Sequence, residues 1–314
     1  MNTKQQTSLE KANENSPSRL WENDLSIIIP AYNEEGGIGK VLEQLSAELP
    51  EAEIIVVNDA STDETLIRIS EFPNVTCIDS PFNRGYGASL KRGMRIAKGK
   101  YIAWFDADNE HRVSDLIQMV DLLITSKLAA VIGERANPAP SVVRSAGKFA
   151  IKLLSRSLGG PAIKDINCGL RVFHAEAILR YLPMLPDKFS ASMTSTMLLI
   201  ERQYPVEFFR ISVAPRIGQS KVALRDGFRA LFTVLRIVML VAPMRIFLTG
   251  GLFATGFGGV YGLIRMLEFG RSFPISAFVL MMLGMFLCVL GLIADQASQL
   301  RFSLVEEKPT GGER

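Results

Sequence analysis

The chain has 314 residues, a formal net charge of +3 and 48% hydrophobic residues. That length suits one large domain or two smaller ones, and so small a charge, spread along the chain, gives no indication of nucleic-acid binding. The three cysteines lie far apart, which excludes a disulfide framework and favours small buried hydrophobic residues. Residues 1–23 are polar, so we expect a disordered arm without a signal peptide.

Short apolar runs alternate with helical patterns along the first half of the chain. Five runs have the continuous hydrophobic character of buried parallel strands, and they cover residues 25–30, 53–58, 75–79, 101–105 and 129–134. Helical patterns lie between them, at residues 35–48, 63–71, 86–97 and 114–126. This alternation predicts an α/β, doubly wound and mostly parallel sheet in a domain that covers residues 24–221.

The pattern becomes less regular after residue 134. Residues 143–158 predict a basic amphipathic helix, residues 165–173 a loop that enters a strand, and residues 206–222 a strand followed by a basic loop. In residues 222–245, Arg225, Arg229 and Arg236 share one helical face, with apolar residues on the other side. This segment is predicted to lie in the membrane interface, with an ordinary packed surface helix as the alternative.

Two uncharged apolar runs dominate the last part of the chain. Residues 246–264 and 272–294 are each near the ~20 residues that span a bilayer, and only "RMLEFGR" lies between their ends. They predict a two-span transmembrane hairpin over residues 246–296 and a cytoplasmic tail over 297–314, rather than a pair of buried core helices. Basic residues before the first span and after the second outnumber those in the connection, Arg265 and Arg271, which places the large domain in the cytoplasm. We expect an integral protein of the plasma (inner) membrane.

Small residues recur along the first of these spans. Gly250, Ala254, Gly258 and Gly262 are spaced by four residues, and such residues let helix backbones approach closely. We expect this face to pack on the second span or on a neighbouring protomer, which leaves a homo-oligomer open.

Polar clusters follow four of the predicted strands, at the edge where open α/β sheets bind ligands. The fourth strand ends in "DADNEH", which puts Asp106 and Asp108 directly after a buried segment. Because unpaired buried carboxylates are costly, we expect a cation there. Oxygen ligands suit Mg²⁺ or Mn²⁺ shared with a diphosphate, and Glu110 is a further candidate ligand. His111 is expected to have a structural role.

The clusters after the first two strands, "AYNEE" and "NDASTD", fit a nucleotide. Tyr32 offers an aromatic face for a base, and Glu34 or Asp59 can accept hydrogen bonds from a base or a ribose. Asn33 and Asp63 precede predicted helices, so helix capping is the alternative for both, and we favour it for Asp63.

The third cluster, "NRGYGASLKRG", has part of the dinucleotide-binding pattern. It lacks the third glycine, because Leu90 stands there, and it follows the third strand rather than the first. We interpret it as a glycine turn into a helix, with Arg84 and Lys91 near a phosphate.

The motifs "IIIPAYNEE", "VVNDASTD", "NRGYGASLKRG" and "DADNEH" resemble the family-2 inverting glycosyltransferases of GT-A fold. Within that family they are similar to the polyprenyl-phosphate glycosyltransferases, the group of dolichol-phosphate mannose synthase. "DINCGLRVF" and "RIGQSKV" match two further patterns of the group, and the resemblance covers about residues 25–300. It implies transfer of a sugar from a UDP- or GDP-sugar to undecaprenyl or dolichyl phosphate at the cytoplasmic membrane face.

The resemblance also implies roles for individual residues. The nucleotide-sugar site would comprise Pro30, Tyr32, Glu34, Asp59, Arg84, Lys91 and Asp106. The metal ligands would be Asp106, Asp108 and Glu110, where the mannose synthases have Gln in place of Glu110. The acceptor phosphate would contact Arg135, Arg144, Arg216 and Lys221, and the catalytic residues would be Asp108, Asp165 and Arg171. Since a phosphate acceptor is already an oxyanion, Asp165 is expected to orient a sugar hydroxyl or an arginine rather than to act as a base.

Three alternatives differ in specific features. A processive polysaccharide synthase would carry a Gln-x-x-Arg-Trp motif, but neither Trp21 nor Trp104 lies in such a context. A glycosyltransferase with a saccharide acceptor would share the strand-end motifs. A non-catalytic membrane subunit that binds sugar nucleotide would not need the intact "DAD".

Overall fold

The computed structural model describes residues 19–135, 165, 168–188, 190–212, 239, 243–270 and 272–306. The predicted helix at 143–158 and nearly all of the predicted interfacial helix at 222–245 lie outside these residues, as do Arg144, Arg216 and Lys221.

Seven strands and eight α-helices are described. The strands are β1 Leu25–Ala31, β2 Glu53–Asn58, β3 Thr76–Asp79, β4 Tyr101–Trp104, β5 Ala130–Arg135, β6 Arg171–His174 and β7 Val206–Ile211. The helices are α1 Ile38–Glu48, α2 Thr65–Ser70, α3 Tyr86–Ile96, α4 Val113–Thr125, α5 Ala175–Arg180, α6 Ala191–Glu201, α7 Pro243–Phe269 and α8 Ile275–Glu306. The predicted strands agree with β1 to β5 to within about a residue at each end.

All seven strands form one sheet in the order β3-β2-β1-β4-β6-β5-β7. Only β6 runs against the others, with antiparallel pairing to β4 and β5. Trp104, the last residue of β4, therefore lies opposite Arg171, the first residue of β6. This reversal brings the segment that follows β4 beside the segment that precedes β6.

Both faces of the sheet are covered, as the continuous apolar strands predict. In β1, Ile28 packs in one apolar cluster with Leu90 of α3, whereas Ile27 and Ile29 pack in a second cluster with Leu42 of α1. Each side chain of this size contributes about 1.5–3 kcal/mol when it is fully buried. The two clusters hold the strands in fixed register and so fix the positions of the strand ends.

Residues 19–24, which include the last residues of the predicted disordered arm, are ordered in the structure. Glu22–Asp24 form a 3-10 turn, and Trp21 donates a hydrogen bond from Nε1 to Asp121 on α4 over 2.8 Å. The expected disorder is therefore wrong for residues 19–23.

Helices α7 and α8 form an antiparallel hairpin and are long and apolar enough to cross a membrane. Gly251 and Gly258 lie against α8, so that an added methyl group would meet Gly284 or Ala277, and Gly262 lies against Phe273, just before α8. Gly250 has open space around it. The contact face therefore includes Gly251 in place of Gly250, because an α-helix has 3.6 residues per turn and a strict spacing of four residues moves away from one face. Of the predicted stripe, Gly258 packs on the second span and Gly262 on the residue Phe273 that precedes it, whereas Gly250 does neither.

Candidate active site

The turns at three strand ends have an unusual backbone. Asn33 after β1, Ala60 after β2 and Asn109 after β4 have φ angles of 56°, 61° and 59°. Such left-handed residues other than glycine are uncommon and gather at sites that the surrounding structure holds in place. Sharp turns at one sheet edge therefore direct the polar side chains of three loops into a common region.

Hydrogen bonds fasten the loop after β1 to the loop after β2. Asn33 accepts from the Thr62 backbone over 2.8 Å, and the Glu34 backbone donates to the Thr65 hydroxyl over 2.8 Å. Asp63 accepts from both the backbone and the hydroxyl of Thr65, the first residue of α2. Burial opposes ionisation of Asp63, but these hydrogen bonds lower the pKa of its carboxyl.

The helix caps are Glu64 for α2 and Gly37 for α1, without a side-chain cap hydrogen bond at either, so the capping predicted for Asp63 and Asn33 is wrong in position. Asp63 instead precedes the cap of α2 and accepts hydrogen bonds from Thr65, and Asn33 supports the neighbouring loop.

Asp59 is buried and connects two strand ends. Its two carboxylate oxygens accept hydrogen bonds from the backbone nitrogens of Arg84 at 2.9 Å and Gly85 at 2.7 Å. Gly85 has a φ of 100°, which glycine adopts without strain, and the next residue begins α3. The predicted glycine turn is present, and Asp59 holds it in place.

Asp106 is enclosed by two hydrogen-bond donors. The Tyr86 hydroxyl donates to Oδ1 over 3.0 Å, and His111 Nε2 lies 3.3 Å from Oδ2. Burial alone would raise the pKa of Asp106, but the hydrogen bond and charge of His111, with the Tyr86 hydroxyl, lower it. Burial alone would lower the pKa of His111, and the Asp106 carboxylate raises it. Asp106 is therefore an oriented carboxylate with both oxygens in contact with protein donors.

Asp108 follows on the same turn and has a different environment. Its Oδ1 accepts from the Glu110 backbone nitrogen over 3.1 Å, and the residue is partly exposed. Within the described part of the chain, no three His, Cys, Asp or Glu side chains are grouped closely enough to bind a metal. The three predicted ligands Asp106, Asp108 and Glu110 thus do not converge by themselves. One or two carboxylates completed by phosphate oxygens remain a donor set that fits Mg²⁺ or Mn²⁺.

Two glycines enclose the turn that carries Asp106 and Asp108. A methyl group on Gly37 would lie 2.5 Å from the carbonyl oxygen of Ala107. A methyl group on Gly169 would overlap the carboxylate of Asp106. Gly169 reaches this position because β6 is antiparallel to β4, so the chain before β6 passes beside the chain after β4.

Arg135 and Asp165 form a forked ion pair at the end of β5. Arg135 donates from Nε to Oδ2 over 2.6 Å and from Nη2 to Oδ1 over 3.1 Å. Asp165 is buried and Arg135 is partly exposed. Such a bidentate pair is strong and directional, so Asp165 orients the arginine. Of the two roles expected for Asp165, this geometry favours the second.

Arg171, a predicted catalytic residue, is fully buried in β6. Its Nε donates to the Cys168 carbonyl over 2.8 Å and its Nη1 to the Thr196 hydroxyl over 2.6 Å. Direct contact with a substrate is contradicted by this burial. A charge so deep in the fold needs such partners, so Arg171 positions the segment 168–171 against α6.

The residues predicted for nucleotide binding have diverse environments. Tyr32 is 48% exposed at the site edge, whereas Pro30 is buried within β1 and faces no open surface. Glu34 is partly buried beside these loops. The Arg84 guanidinium lies 4.5 Å from the centre of the exposed Phe82 ring.

Lys91 does not reach toward the strand ends as predicted. Its ammonium group donates to the Leu185 carbonyl over 3.0 Å and pairs with Asp187. A lysine that already has two oxygen partners on a neighbouring loop fastens that loop to α3. We therefore correct the phosphate-binding role that was predicted for it.

Sequence reasoning missed three residues of this site. Tyr86 reaches Asp106 from α3, although its own motif gave only a turn signal. Gly37 and Gly169 act through close backbone packing, which leaves no periodic pattern in a single sequence. The available signal was that Tyr86 and Gly169 lie in the motifs "NRGYGASLKRG" and "DINCGLRVF", whereas Gly37 lies two residues after "AYNEE".

Oriented carboxylates lie here at the carboxyl ends of a mostly parallel sheet, where open α/β domains bind their ligands. Residues 26–178 match the glycosyl transferase family 2, and residues 242–300 match the GtrB C-terminal hairpin. The protein is a glycosyltransferase with a family 2 domain of GT-A fold, followed by a GtrB-type hairpin that indicates membrane association.

Two relatives illustrate the similarity in sequence. The dolichyl-phosphate beta-glucosyltransferase of Saccharomyces cerevisiae is 29% identical over 232 residues, which are 64% of this chain and 69% of that protein. The dodecaprenyl-phosphate galacturonate synthase of Rhizobium johnstonii is 27% identical over 165 residues, or 49% of each protein. The chain thus aligns with about half of the second relative.

The fold is also seen in solved structures. The glucosyl-3-phosphoglycerate synthase from Mycobacterium tuberculosis, in complex with Mn²⁺, uridine-diphosphate and phosphoglyceric acid, has a TM-score of 0.57 at 19% identity. The match covers 68% of this chain and 78% of that chain. It supports the fold.

Proposed function

We propose that the protein transfers a sugar, with inversion, from a UDP- or GDP-sugar to a polyprenyl phosphate at the cytoplasmic face of the plasma membrane. The observation that carries the proposal is the combination, in one chain, of oriented strand-end carboxylates and a hairpin of two apolar helices. The two named relatives act on dolichyl and dodecaprenyl phosphate, which supports this class of acceptor.

A divalent metal fits the donor side of the site. Asp108 offers carboxylate oxygens from a partly exposed position, while Asp106 is held by Tyr86 and His111. We assign Asp108 as the main metal ligand, with Asp106 orienting the turn and Glu110 beside it. Bound Mg²⁺ or Mn²⁺ would neutralise the charge of the leaving diphosphate.

Arg135 is the described cation best placed for the acceptor phosphate. Its guanidinium is fixed by Asp165 and stays partly exposed, so it offers a pre-oriented positive charge at the strand ends. Arg144, Arg216 and Lys221 lie outside the described residues and remain predicted members of this group. A phosphate monoester needs little deprotonation, so electrostatic positioning of two anionic groups is the main task of the protein.

Charge also supports the proposed orientation. Arg245 lies near the start of α7 and Arg301 near the end of α8, so the two cations lie at the same end of the antiparallel hairpin. The sequence that flanks this end adds Arg225, Arg229, Arg236 and Lys308, whereas the opposite end of the hairpin carries Arg265 and Arg271. An excess of positive charge favours the cytoplasmic side. We therefore place this end, the predicted interfacial helix at 222–245 and the catalytic domain in the cytoplasm.

The test is a transfer assay with the purified full chain in detergent. It combines a panel of UDP- and GDP-sugars with undecaprenyl or dolichyl phosphate, and Asp108→Asn is the inactive control. We expect one donor to give a chloroform-soluble sugar phosphate lipid. A product that forms only on a saccharide acceptor would replace the proposal with the saccharide-acceptor alternative.

A further inference from the structure

Helix α8 is longer than a membrane span requires. It has 32 residues and is about 48 Å long at 1.5 Å per residue, whereas ~20 residues cross a bilayer. Its apolar run ends before Asp295, yet the helix continues to Glu306. Residues 297–306, part of the predicted cytoplasmic tail, therefore form a rigid extension of the second span.

The extension packs into the catalytic domain. Phe302 is 1% exposed and belongs to the same apolar cluster as Trp104 and Leu198. Its ring meets that of Tyr181 edge to face, with centroids 6.4 Å apart. Most large apolar side chains of α8 face outward, so the burial of Phe302 marks a specific contact.

Polar contacts surround this buried ring. Glu306 accepts a hydrogen bond from the Tyr181 hydroxyl at 3.0 Å and forms an ion pair with Arg202 at 2.8 Å. The Arg202 guanidinium also lies 4.2 Å from the centre of the Phe302 ring. A partly exposed ion pair adds little stability, but together with the aromatic contacts it specifies one orientation of the helix.

The same contact is connected to the active site through one helix. Arg202 directly follows α6, and residues of α6 accept the hydrogen bonds of the buried Arg171. Arg171 begins the strand that follows Gly169, which touches Asp106. The hairpin is thus joined to the strand-end turns by rigid elements.

We propose that Tyr181, Arg202, Phe302 and Glu306 form a lock, here called the α8 lock, that fixes the catalytic domain at one height and orientation above the membrane. The four are positioning residues. A membrane-anchored acceptor can approach only from the bilayer, so its transfer depends on this orientation, whereas a water-soluble acceptor can approach freely. This consequence for transfer rests on the proposed polyprenyl phosphate acceptor.

The first experiment measures orientation and needs no activity. Spin labels are placed on the exposed Cys77 and on Leu300→Cys in the full chain, with Cys288→Ala, while the buried Cys168 stays unlabelled. Arg202→Glu or Glu306→Arg should broaden the distance distribution, and the double charge reversal should narrow it again. Leu304→Ala, on the exposed side of the same helix, is the control. Unchanged distributions in both single variants overturn the lock.

The second experiment compares two acceptors. In vesicles that contain a long-chain polyprenyl phosphate, each single variant should lose at least fivefold in kcat/KM, and the double variant should recover at least half of the loss. With a short, water-soluble polyprenyl phosphate in detergent, all variants should remain within twofold of the wild type. An equal loss on both acceptors refutes the positioning role. Absence of transfer by the wild type refutes the proposed function instead, and the distance measurement then still decides the lock.

Discussion

Gly169 lies directly against the carboxylate of Asp106, so closely that a methyl group there would overlap Oδ2. The contact follows from topology, because antiparallel β6 begins opposite the last residue of β4. On the other side of the turn, Gly37 approaches the carbonyl of Ala107. The acidic turn is therefore held between two backbone segments that leave no room for a side chain.

Gly169→Ala should move the Asp106 carboxylate away from Tyr86 and His111 and displace Asp108 with it. We expect turnover to fall by at least tenfold, since small misplacements of catalytic groups are costly. Mn²⁺ binding in the presence of nucleoside diphosphate, followed by electron paramagnetic resonance, should weaken in parallel.

Gly36→Ala is the matched control for this variant. Gly36 precedes the enclosed Gly37 and has no heavy atom within 4 Å of an added methyl group. It should retain wild-type turnover and metal binding. If Gly169→Ala behaved like Gly36→Ala, the enclosure would have no functional role.

Asp108→Asn tests the metal assignment. The amide is a poorer ligand for Mg²⁺ or Mn²⁺ than a carboxylate, so turnover should fall by about two orders of magnitude or more. A loss of this size is typical when an enzyme loses one group that stabilises charge in the transition state. EDTA should abolish the wild-type activity, and added Mg²⁺ or Mn²⁺ should restore it. Asp121→Asn, on the outer side of α4, should leave transfer unchanged. Full activity of Asp108→Asn with EDTA present would contradict the assignment.

Much of the fold was readable from the sequence because parallel strands buried on both faces leave continuous apolar runs. Leu25–Ala31 and Glu53–Asn58 are such runs, and their polar ends correctly pointed to one sheet edge. The two membrane-length helices were predicted for a similar reason, since a long uncharged segment has few alternatives.

The rest could not be read because it depends on contacts distant in sequence. Helix α6 is buried on all sides although it contains Ser192, Thr194, Ser195 and Thr196, so it has no amphipathic pattern. Its hydroxyl groups serve the buried Arg171, and no local signal reveals that partner. For the same reason Lys91 was assigned to a phosphate, although the loop at residues 185–187 holds it.

The Arg135–Asp165 pair gives a prediction that separates two roles for Asp165. If Asp165 orients Arg135, then Asp165→Asn and Arg135→Lys should raise the acceptor KM to a similar extent. Either change breaks the ion pair in which two parallel hydrogen bonds join the guanidinium to the carboxylate. The double variant should be little worse than either single variant, as expected for residues that act as one unit.

A general base would give a different result. Asp165→Asn would then abolish kcat and remove the acidic limb of its pH profile, while Arg135→Lys would retain most of the turnover. Equal donor affinity in all variants, measured by calorimetry, shows that the nucleotide side of the site is intact.

The last prediction concerns the hairpin, where Gly258 and Gly256 have opposite environments in the same helix. A methyl group on Gly258 would lie 3.0 Å from the Ala277 carbonyl oxygen and 3.1 Å from the Met281 backbone nitrogen, whereas one on Gly256 would meet nothing within 4 Å. Gly258→Leu should therefore push the two spans apart and cost about 1–3 kcal/mol, as overpacking does elsewhere.

The measurement is the melting temperature of the purified protein in detergent, which should fall by several degrees for Gly258→Leu and stay unchanged for Gly256→Leu. Since Gly258 packs within the chain, neither variant should alter the mass of the detergent-solubilised particle by light scattering. A loss of oligomer in Gly258→Leu at unchanged melting temperature would instead place this face between protomers.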